Sequence, residues 1–369
     1  MNKCIIYYPF KINRDHPSAS NIRPVNIIKG FEDAGYEVSI IEGNGKERKN
    51  IINKIKTEIS NGEKYDFVYM ESSTEPTLLT ESHHLPTHPF LDFGFLKFCK
   101  KHNIKIGVFY RDIHWRFDQY KKNVPFMKKM VAYTFYYYDL IKYRNIIDVL
   151  YLPSEEMEKY IPLNLKKPVI PLPSGCEQKL LDNRDLKKDS AIKLLYVGGL
   201  SKELYNIEMI VKAIYENEKF ELDICCRPDD WEANKDYYQQ YLNNRIRVIH
   251  KSGSELDKKA LNADIFSLVI EPTSYWEFAM PMKLFSYISY RKPILGINNT
   301  ACGKFIINNG IGYTTEYNFE SIKSILNYLE KNYLIEYNGK LKNLEVAYNK
   351  NTWKARASAV INSLYQKQT

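Results

Sequence analysis

Residues 271–296 read Glu-Pro-Thr-Ser-Tyr-Trp-Glu-Phe-Ala-Met-Pro-Met-Lys-Leu-Phe-Ser-Tyr-Ile-Ser-Tyr-Arg-Lys-Pro-Ile-Leu-Gly, with a carboxylate, a proline and a lysine spaced to receive an anion. The apolar run Ile265 to Ile270 predicts a buried strand that ends at Glu271. Pro281 suits a helix start, because a proline in the first turn forfeits no hydrogen bond. Leu284, Tyr287 and Ile288 then fall at i, i+3 and i+4, which gives that helix one apolar face. Lys292-Pro293 closes it, and Ile294-Leu295-Gly296 opens the next strand. Unpaired N–H groups at such a helix start, with the positive end of its dipole, attract phosphate oxygens. Lys283 adds a positive charge in the first turn, and Glu277 can accept hydrogen bonds from sugar or ribose hydroxyls. A diphosphate suits this set. Spacing leaves open a plain strand–helix–strand crossover with a polar loop.

Other reactive groups stand at the carboxyl ends of predicted strands, where parallel sheets bind ligands. Ile192–Val197 runs into Gly198-Gly199-Leu200-Ser201-Lys202, and glycines there let the backbone approach a phosphate. Phe220–Cys226 ends at Arg227, which can face the same diphosphate. Ile104–Tyr110 ends in Arg111-Asp112-Ile113-His114-Trp115-Arg116-Phe117, where charged, imidazole and aromatic groups meet. A structural Arg111–Asp112 pair beside an ordinary surface histidine is the alternative. After the first strand come Asn13, Arg14, Ser18, Ser20 and Arg23; Arg23, at a helix start with Ser20 as cap and Pro24 in the first turn, can reach an anion. His83, His84 and His88 share a long polar loop, residues 72–91. Its prolines give no preformed metal geometry, so an acceptor-binding loop or plain surface is the expectation.

The run from Glu277 through Met280-Pro281-Met282-Lys283-Leu284-Phe285-Ser286-Tyr287 to Pro293 resembles the donor-binding signature of retaining GT-B glycosyltransferases of the family 4 type. These enzymes build bacterial capsules, lipopolysaccharides and exopolysaccharides. Gly198, Gly199 and Lys202 resemble the family's phosphate loop, with Gly199 where arginine often stands. Ser286 occupies the place of the glutamate that holds the donor ribose, and Arg291 that of a glycine. The resemblance implies an α/β chain of two doubly wound Rossmann-like domains facing across a cleft. It implies transfer of a sugar from a nucleotide-diphosphate sugar to a hydroxyl of a glycan, lipid-linked or protein-linked acceptor, with retention.

On the same ground His114, Lys202, Lys283 and Glu277 are the expected catalytic residues. Gly198, Gly199, Arg227, Met280, Pro281, Met282, Leu284 and Ser286 are expected along the donor, with Lys251, Ser252 and Gly253 at its base. Arg111, Asp112 and Arg23 are expected on the acceptor side. No Asp-x-Asp triplet occurs, so no metal or other cofactor is expected to hold the diphosphate.

The elements that position these groups follow from the rest of the chain. Its 369 residues suffice for two cores. Short apolar runs at 4–8, 37–41 and 67–71 alternate with helical stretches, the signature of a parallel doubly wound sheet. An acceptor domain is expected over 1–175, with a closing helix in 351–369 packing back on it. A donor domain is expected over 176–350, after a charged linker at 176–190. Six cysteines without a Cys-x-x-Cys pair read as reduced core residues of a cytoplasmic protein.

Charge is concentrated. Residues 97–144 hold twelve basic side chains against Asp112, Asp118 and Asp139, a net +9 equal to that of the whole chain. Within 118–145, Lys121, Lys122, Lys128 and Lys129 alternate with Phe126, Met127, Tyr133, Phe135, Tyr136, Tyr137 and Tyr138. That pattern suits the anionic inner face of a membrane; a helix with aromatics inward and lysines in water is the alternative. Nucleic acid would account for the charge but is not the expected partner. An epimerase or phosphorylase, and a catalytically silent partner subunit, are the competing readings on the same architecture.

Overall fold

The computed structural model describes residues 2–14, 19–117, 124–179, 181 and 190–365. They form two compact units, residues 1–175 with 352–369 and residues 176–351.

In the first unit six parallel strands, β1 (Asn2–Tyr7), β2 (Tyr36–Ile41), β3 (Phe67–Glu71), β4 (Lys105–Phe109), β5 (Val149–Leu152) and β6 (Val169–Pro171), lie in the order 2-1-3-4-5-6. The order reverses between β1 and β3, the switch point where such sheets leave room for a ligand. Every residue of β3 is buried, because helices cover both faces of a parallel sheet. Helices α1 (Ala19–Asp33), α2 (Gly45–Ser60), α3 (Leu91–Lys101) and α4 (Phe126–Ile146) follow β1, β2, β3 and β4. A capping box starts α2, with Asn44 and Glu47 satisfying each other's backbone N–H.

One local expectation is corrected here. Helix α1 begins at Ala19, ahead of Ser20, so Ser20 is not its cap and Pro24 lies inside the helix rather than in its first turn. The loop after β3 is anchored as well: Thr77–Leu79 form a buried 3-10 turn. Helix α4 holds it, Asp139 accepting the Thr77 N–H at 2.7 Å and the Tyr136 hydroxyl donating to the Thr74 carbonyl at 2.7 Å. Burial pushes the Asp139 carboxyl up to about 7. The helical reading over 118–145 is met only from Phe126 onward; Lys121, Lys122 and Asp118 lie outside the described residues, as does Ser18.

The last helix, α11 (Trp353–Leu364), is capped by the Thr352 hydroxyl and packs on α1. Trp353, Ala357, Val360 and Leu364 join Ile27, Phe31, Phe67 and Tyr69 in one core. Gly30 permits that contact: a Cβ there would meet the Trp353 carbonyl oxygen at 2.5 Å. Gly30→Ala is therefore expected to cost about 1–3 kcal/mol by overpacking, measurable as a lowered denaturant midpoint of the first unit.

The second unit has strands β7 (Ile192–Val197), β8 (Phe220–Cys225), β9 (Ile246–Ile249), β10 (Ile265–Ser267), β11 (Ile294–Ile297) and β12 (Gly312–Thr315). They are parallel in the order 9-8-7-10-11-12, with the reversal between β7 and β10. Strand β10 stops three residues before the apolar run does, although Leu268, Val269 and Ile270 stay buried. The helices are α5 (Glu208–Tyr215), α6 (Pro228–Tyr238), α7 (Gly253–Asn262), α8 (Met282–Ser289), α9 (Ala301–Asn308) and the 32-residue α10 (Phe319–Lys350).

The chain enters this unit at Cys176 and leaves it at Asn351, and the Cys176 N–H donates to the Asn351 carbonyl at 2.7 Å. The Glu177 N–H donates to Ser289 Oγ, so the start of the expected linker is fixed to the second unit. Residues 180 and 182–189 of that linker lie outside the described residues.

Candidate anion and acceptor sites

In the second unit the switch point brings β7, β8 and α8 together. Pro281 is the N-cap of α8 rather than part of its first turn, with Met282 and Lys283 as the first helical residues. No side chain caps this helix end, and the Leu284 N–H bonds back to the Pro281 carbonyl at 3.1 Å, which leaves the Met282 and Lys283 N–H groups for an outside acceptor. The Lys283 amine reaches under the turn that follows β7. A Cβ on Gly198 would lie 2.9 Å from it and 2.3 Å from the Tyr196 hydroxyl, so a larger residue there would displace both groups.

The amine sits 5.9 Å from the centre of the Tyr196 ring, half-buried, with no ion pair among the described residues. Burial lowers its pKa to about 8; the neighbouring Arg227 adds to the shift, whereas Cys225 and Asp230 oppose it. A desolvated cation of this kind is stabilised by any anion that reaches it.

The β7 turn is braced from α8. Tyr287 stacks on Phe266 at 4.2 Å, and its hydroxyl accepts the Val197 N–H at 2.9 Å. The Tyr196 hydroxyl donates to the Gly199 carbonyl at 2.7 Å and shapes the turn itself. Sequence reading placed Tyr287 on the apolar face of the helix but missed this tie, since the partners are 90 residues apart. Arg291, where a glycine was expected, keeps the left-handed backbone a glycine would favour, at φ 53°. Its guanidinium holds that conformation by bonding Glu345 and the Ser289 carbonyl and lying 3.2 Å from the Tyr348 ring centre.

The remaining expected donor residues are distributed unevenly. Arg227 holds the N-cap position of α6 without a capping hydrogen bond and is exposed near Lys283. Lys202 is exposed and lies over the Tyr237 ring at 4.5 Å, directed to α6 rather than to the turn under which Lys283 sits. Glu277 is exposed at the end of a 3-10 turn, Ser274–Glu277. Met280 is half-buried, whereas Leu284 is wholly buried, so its side chain supports α8 from the core instead of lining a surface. The Ser286 hydroxyl bonds back to the Met282 carbonyl at 3.2 Å. Lys251 pairs with Glu255, while Ser252 and Gly253 are exposed at the start of α7. A separate cavity of ≈ 440 Å³ along β7, β8 and α7 is lined by Glu221, Asp223, Arg247 and Lys259, which already pair with one another.

In the first unit a buried ion cluster occupies the carboxyl end of β3. Glu71, with no exposed surface, receives Arg23 Nε at 2.9 Å, the Tyr69 hydroxyl at 2.7 Å and an Arg111 nitrogen at 3.2 Å. Arg23 lies 3.7 Å from the centre of the Phe109 ring and is itself buried. It is therefore committed to Glu71 rather than exposed at a helix start. The alternative Arg111–Asp112 pair is not what forms, because Glu71 takes the guanidinium.

Asp112 instead accepts the backbone N–H groups of Ile113 at 2.6 Å and His114 at 3.0 Å, shaping the turn that presents His114. The His114 imidazole is half-buried, 6.3 Å from the Tyr136 ring and 3.9 Å from the second Asp112 oxygen. Burial holds its pKa below the ordinary value, which favours the neutral ring despite Asp112. Trp115, stacked on Tyr136 at 4.7 Å, fixes the turn to α4. The loop histidines go to separate partners: His84 to the Leu79 carbonyl, His83 to the Leu85 N–H and His88 to Thr87. Among the described residues no group of three metal-ligating side chains converges.

No protein-family model matches the sequence, and no curated protein matches it. Solved structures match over nearly its whole length. A glycosyltransferase from Rickettsia africae aligns at TM-score 0.65 and 14% identity, covering 98% of each chain. HepE from Anabaena, in complex with UDP and glucose, aligns at TM-score 0.63 and 9% identity over 98% of this chain and 99% of its own. Sucrose-phosphate synthase from Thermosynechococcus elongatus aligns at TM-score 0.61 and 10% identity over 98% of both. With two six-stranded parallel sheets of this topology and end-to-end alignment to these structures, the chain has the GT-B fold.

Proposed function

We propose that the protein is a glycosyltransferase that moves a sugar from a nucleotide-diphosphate sugar to a hydroxyl of a glycan, glycolipid or glycoprotein, with retention and without a metal. The observation that carries the proposal is the half-buried, unpaired Lys283 amine at the uncapped start of α8, under the Gly198 turn. The second unit is then the donor domain and the first the acceptor domain, working at the cytoplasmic side of a membrane. HepE, which shares the fold, has been solved with UDP and with UDP-glucose. Retention rests on the resemblance of Glu277–Pro293 to the retaining signature.

As the glycosidic bond breaks, charge grows on the departing diphosphate. Lys283 and the α8 N–H groups supply fixed positive potential there, with Arg227 beside them; Lys202 would join them only by leaving the Tyr237 ring. Glu277 and the backbone at Met280–Met282 would orient the sugar, and the backbone at Lys251–Gly253 the base. His114, presented neutral by the Asp112 turn, would face the sugar, and Arg111 would position the acceptor. In the scheme of the resembled family the leaving phosphate takes the acceptor's proton.

Thermal-shift measurements with UDP-, GDP- and CMP-linked sugars test the proposal, because a ligand bound only by the native state raises the melting point. At least one should do so, and release of the nucleotide should depend on an acceptor. Stabilisation by none would sink it. Affinity for the nucleotide should also carry the signature of Lys283. With the free amine titrating at about 8, and a bound diphosphate raising that value, binding is steady below pH 8. Above it, affinity falls by up to about tenfold per pH unit. Titration calorimetry between pH 7 and 9.5 checks this, and Lys283→Arg should flatten the profile.

A second reading, a silent partner subunit, is favoured by Ser286, whose hydroxyl is turned to its own helix where a ribose-binding carboxylate was expected. Nucleotide binding without turnover on any acceptor would select it.

A further inference from the structure

Helix α4 has two faces. Tyr136, Asp139, Leu140, Tyr143 and Ile146 are buried. At about 3.6 residues per turn, Phe126, Met130, Tyr137 and Ile141 fall on one stripe of the opposite face, with Met127 and Val131 beside it. These six are exposed, Phe126 at 67% and Met127 at 73%. Such a large apolar row on one helix is not the scattered exposure of an ordinary surface. Among the described residues of the helix, the charges flanking it are positive. On the same helical projection Lys128 and Lys142 border one edge of the stripe, and Lys129 and Arg144 the other. The helix's single acid, Asp139, is on the buried face.

The neighbouring helix extends the pattern. Phe93 of α3 packs on Tyr138 and Tyr143, and the residue that precedes α3, Phe90, is 84% exposed. Lys97 and Lys101 of α3 are exposed too.

We propose that the outer face of α4 docks on a bilayer carrying anionic headgroups, with Phe126, Met127 and Met130 entering the acyl boundary and the flanking bases meeting lipid phosphates. Charge complementarity selects this occupant, since the stripe has no acidic residue to meet a basic protein surface and carries apolar side chains that a polyanion in water would leave exposed. No helix among the described residues is long and apolar enough to cross a membrane, so the helix lies in the interface plane. The proposal does not depend on glycosyl transfer.

Vesicle flotation of the full chain tests it, using phosphatidylcholine alone and phosphatidylcholine with phosphatidylglycerol. Binding should need the anionic lipid and weaken with salt. The exposed changes Phe126→Ser, Met127→Ser and Met130→Ser together should remove it while the melting temperature is kept. Lys128→Ser with Lys142→Ser should weaken it by at least about tenfold.

Three results would overturn the proposal. One is no flotation with anionic vesicles, and another is flotation unchanged by the serine triple. The third is a vesicle-free self-association, seen by ultracentrifugation, that the same triple abolishes, which would make the face an interface between copies.

Discussion

Lys283→Ala is expected to reduce sugar transfer by roughly a hundredfold, the scale seen when a fixed group stabilising transition-state charge is removed. The position is half-buried at the start of α8, where a smaller side chain removes a charge that burial disfavours. Folding stability should therefore hold or rise slightly. The sign follows from linkage: the amine's folded pKa of about 8 lies below its unfolded value, so the protein gains stability as pH rises from there toward 10.5. Alanine deletes that dependence. Turnover, nucleotide thermal shift and the unliganded melting curve, recorded on one preparation, separate the outcomes. A fall in the first two with an unchanged third assigns the charge to the ligand. Full turnover in the alanine variant would remove Lys283 from the site.

Glu71→Ala is the second large effect, and it acts on folding. The carboxylate is fully buried and joins Arg23 to Arg111. Deleting it strips the buried Arg23 of its counter-charge at the end of β3 and takes one partner from Arg111. Breaking a buried pair from one side costs about 3–5 kcal/mol, which for a unit of this size lowers the melting temperature by roughly 10 °C. Glu71→Gln should lose less, because its amide oxygen can still accept from Tyr69 and Arg23. Calorimetry should place the loss in the transition of the first unit. A melting curve that does not move would mean that water reaches the cluster.

The strands were legible because a parallel sheet covered on both sides needs uninterrupted apolar runs, and Cys4–Tyr7, Phe67–Met70 and Leu194–Tyr196 are such runs, all buried. Short strands with mixed composition were not. Strand β12, Gly312–Thr315, has a glycine and two threonines in four residues, and only its pairing with β11 defines it. Nor was the long α10 read from sequence, although the Asn318 side chain caps it by accepting the Ser321 N–H.

At the site, Gly198, Pro281 and Lys283 could be singled out because their chemistry is local: a turn, a helix start, a charge. The Glu71 cluster could not, since its arginines are 48 and 40 residues away and nothing in sequence pairs them. The same holds for the turn at Thr77, whose anchor Asp139 is 62 residues further on.

The return of α11 to the first unit has a consequence for biosynthesis. Residues 176–351 form an uninterrupted insert whose contacts are all available once they have been made. The N-terminal sheet emerges first, yet its core includes Trp353, Val360 and Leu364. A ribosome delivers those only after the whole insert. The first lobe is thus completed only after the second has been made, and a nascent chain carries an unsealed apolar groove along α1 while the insert is synthesised, a natural target for chaperones.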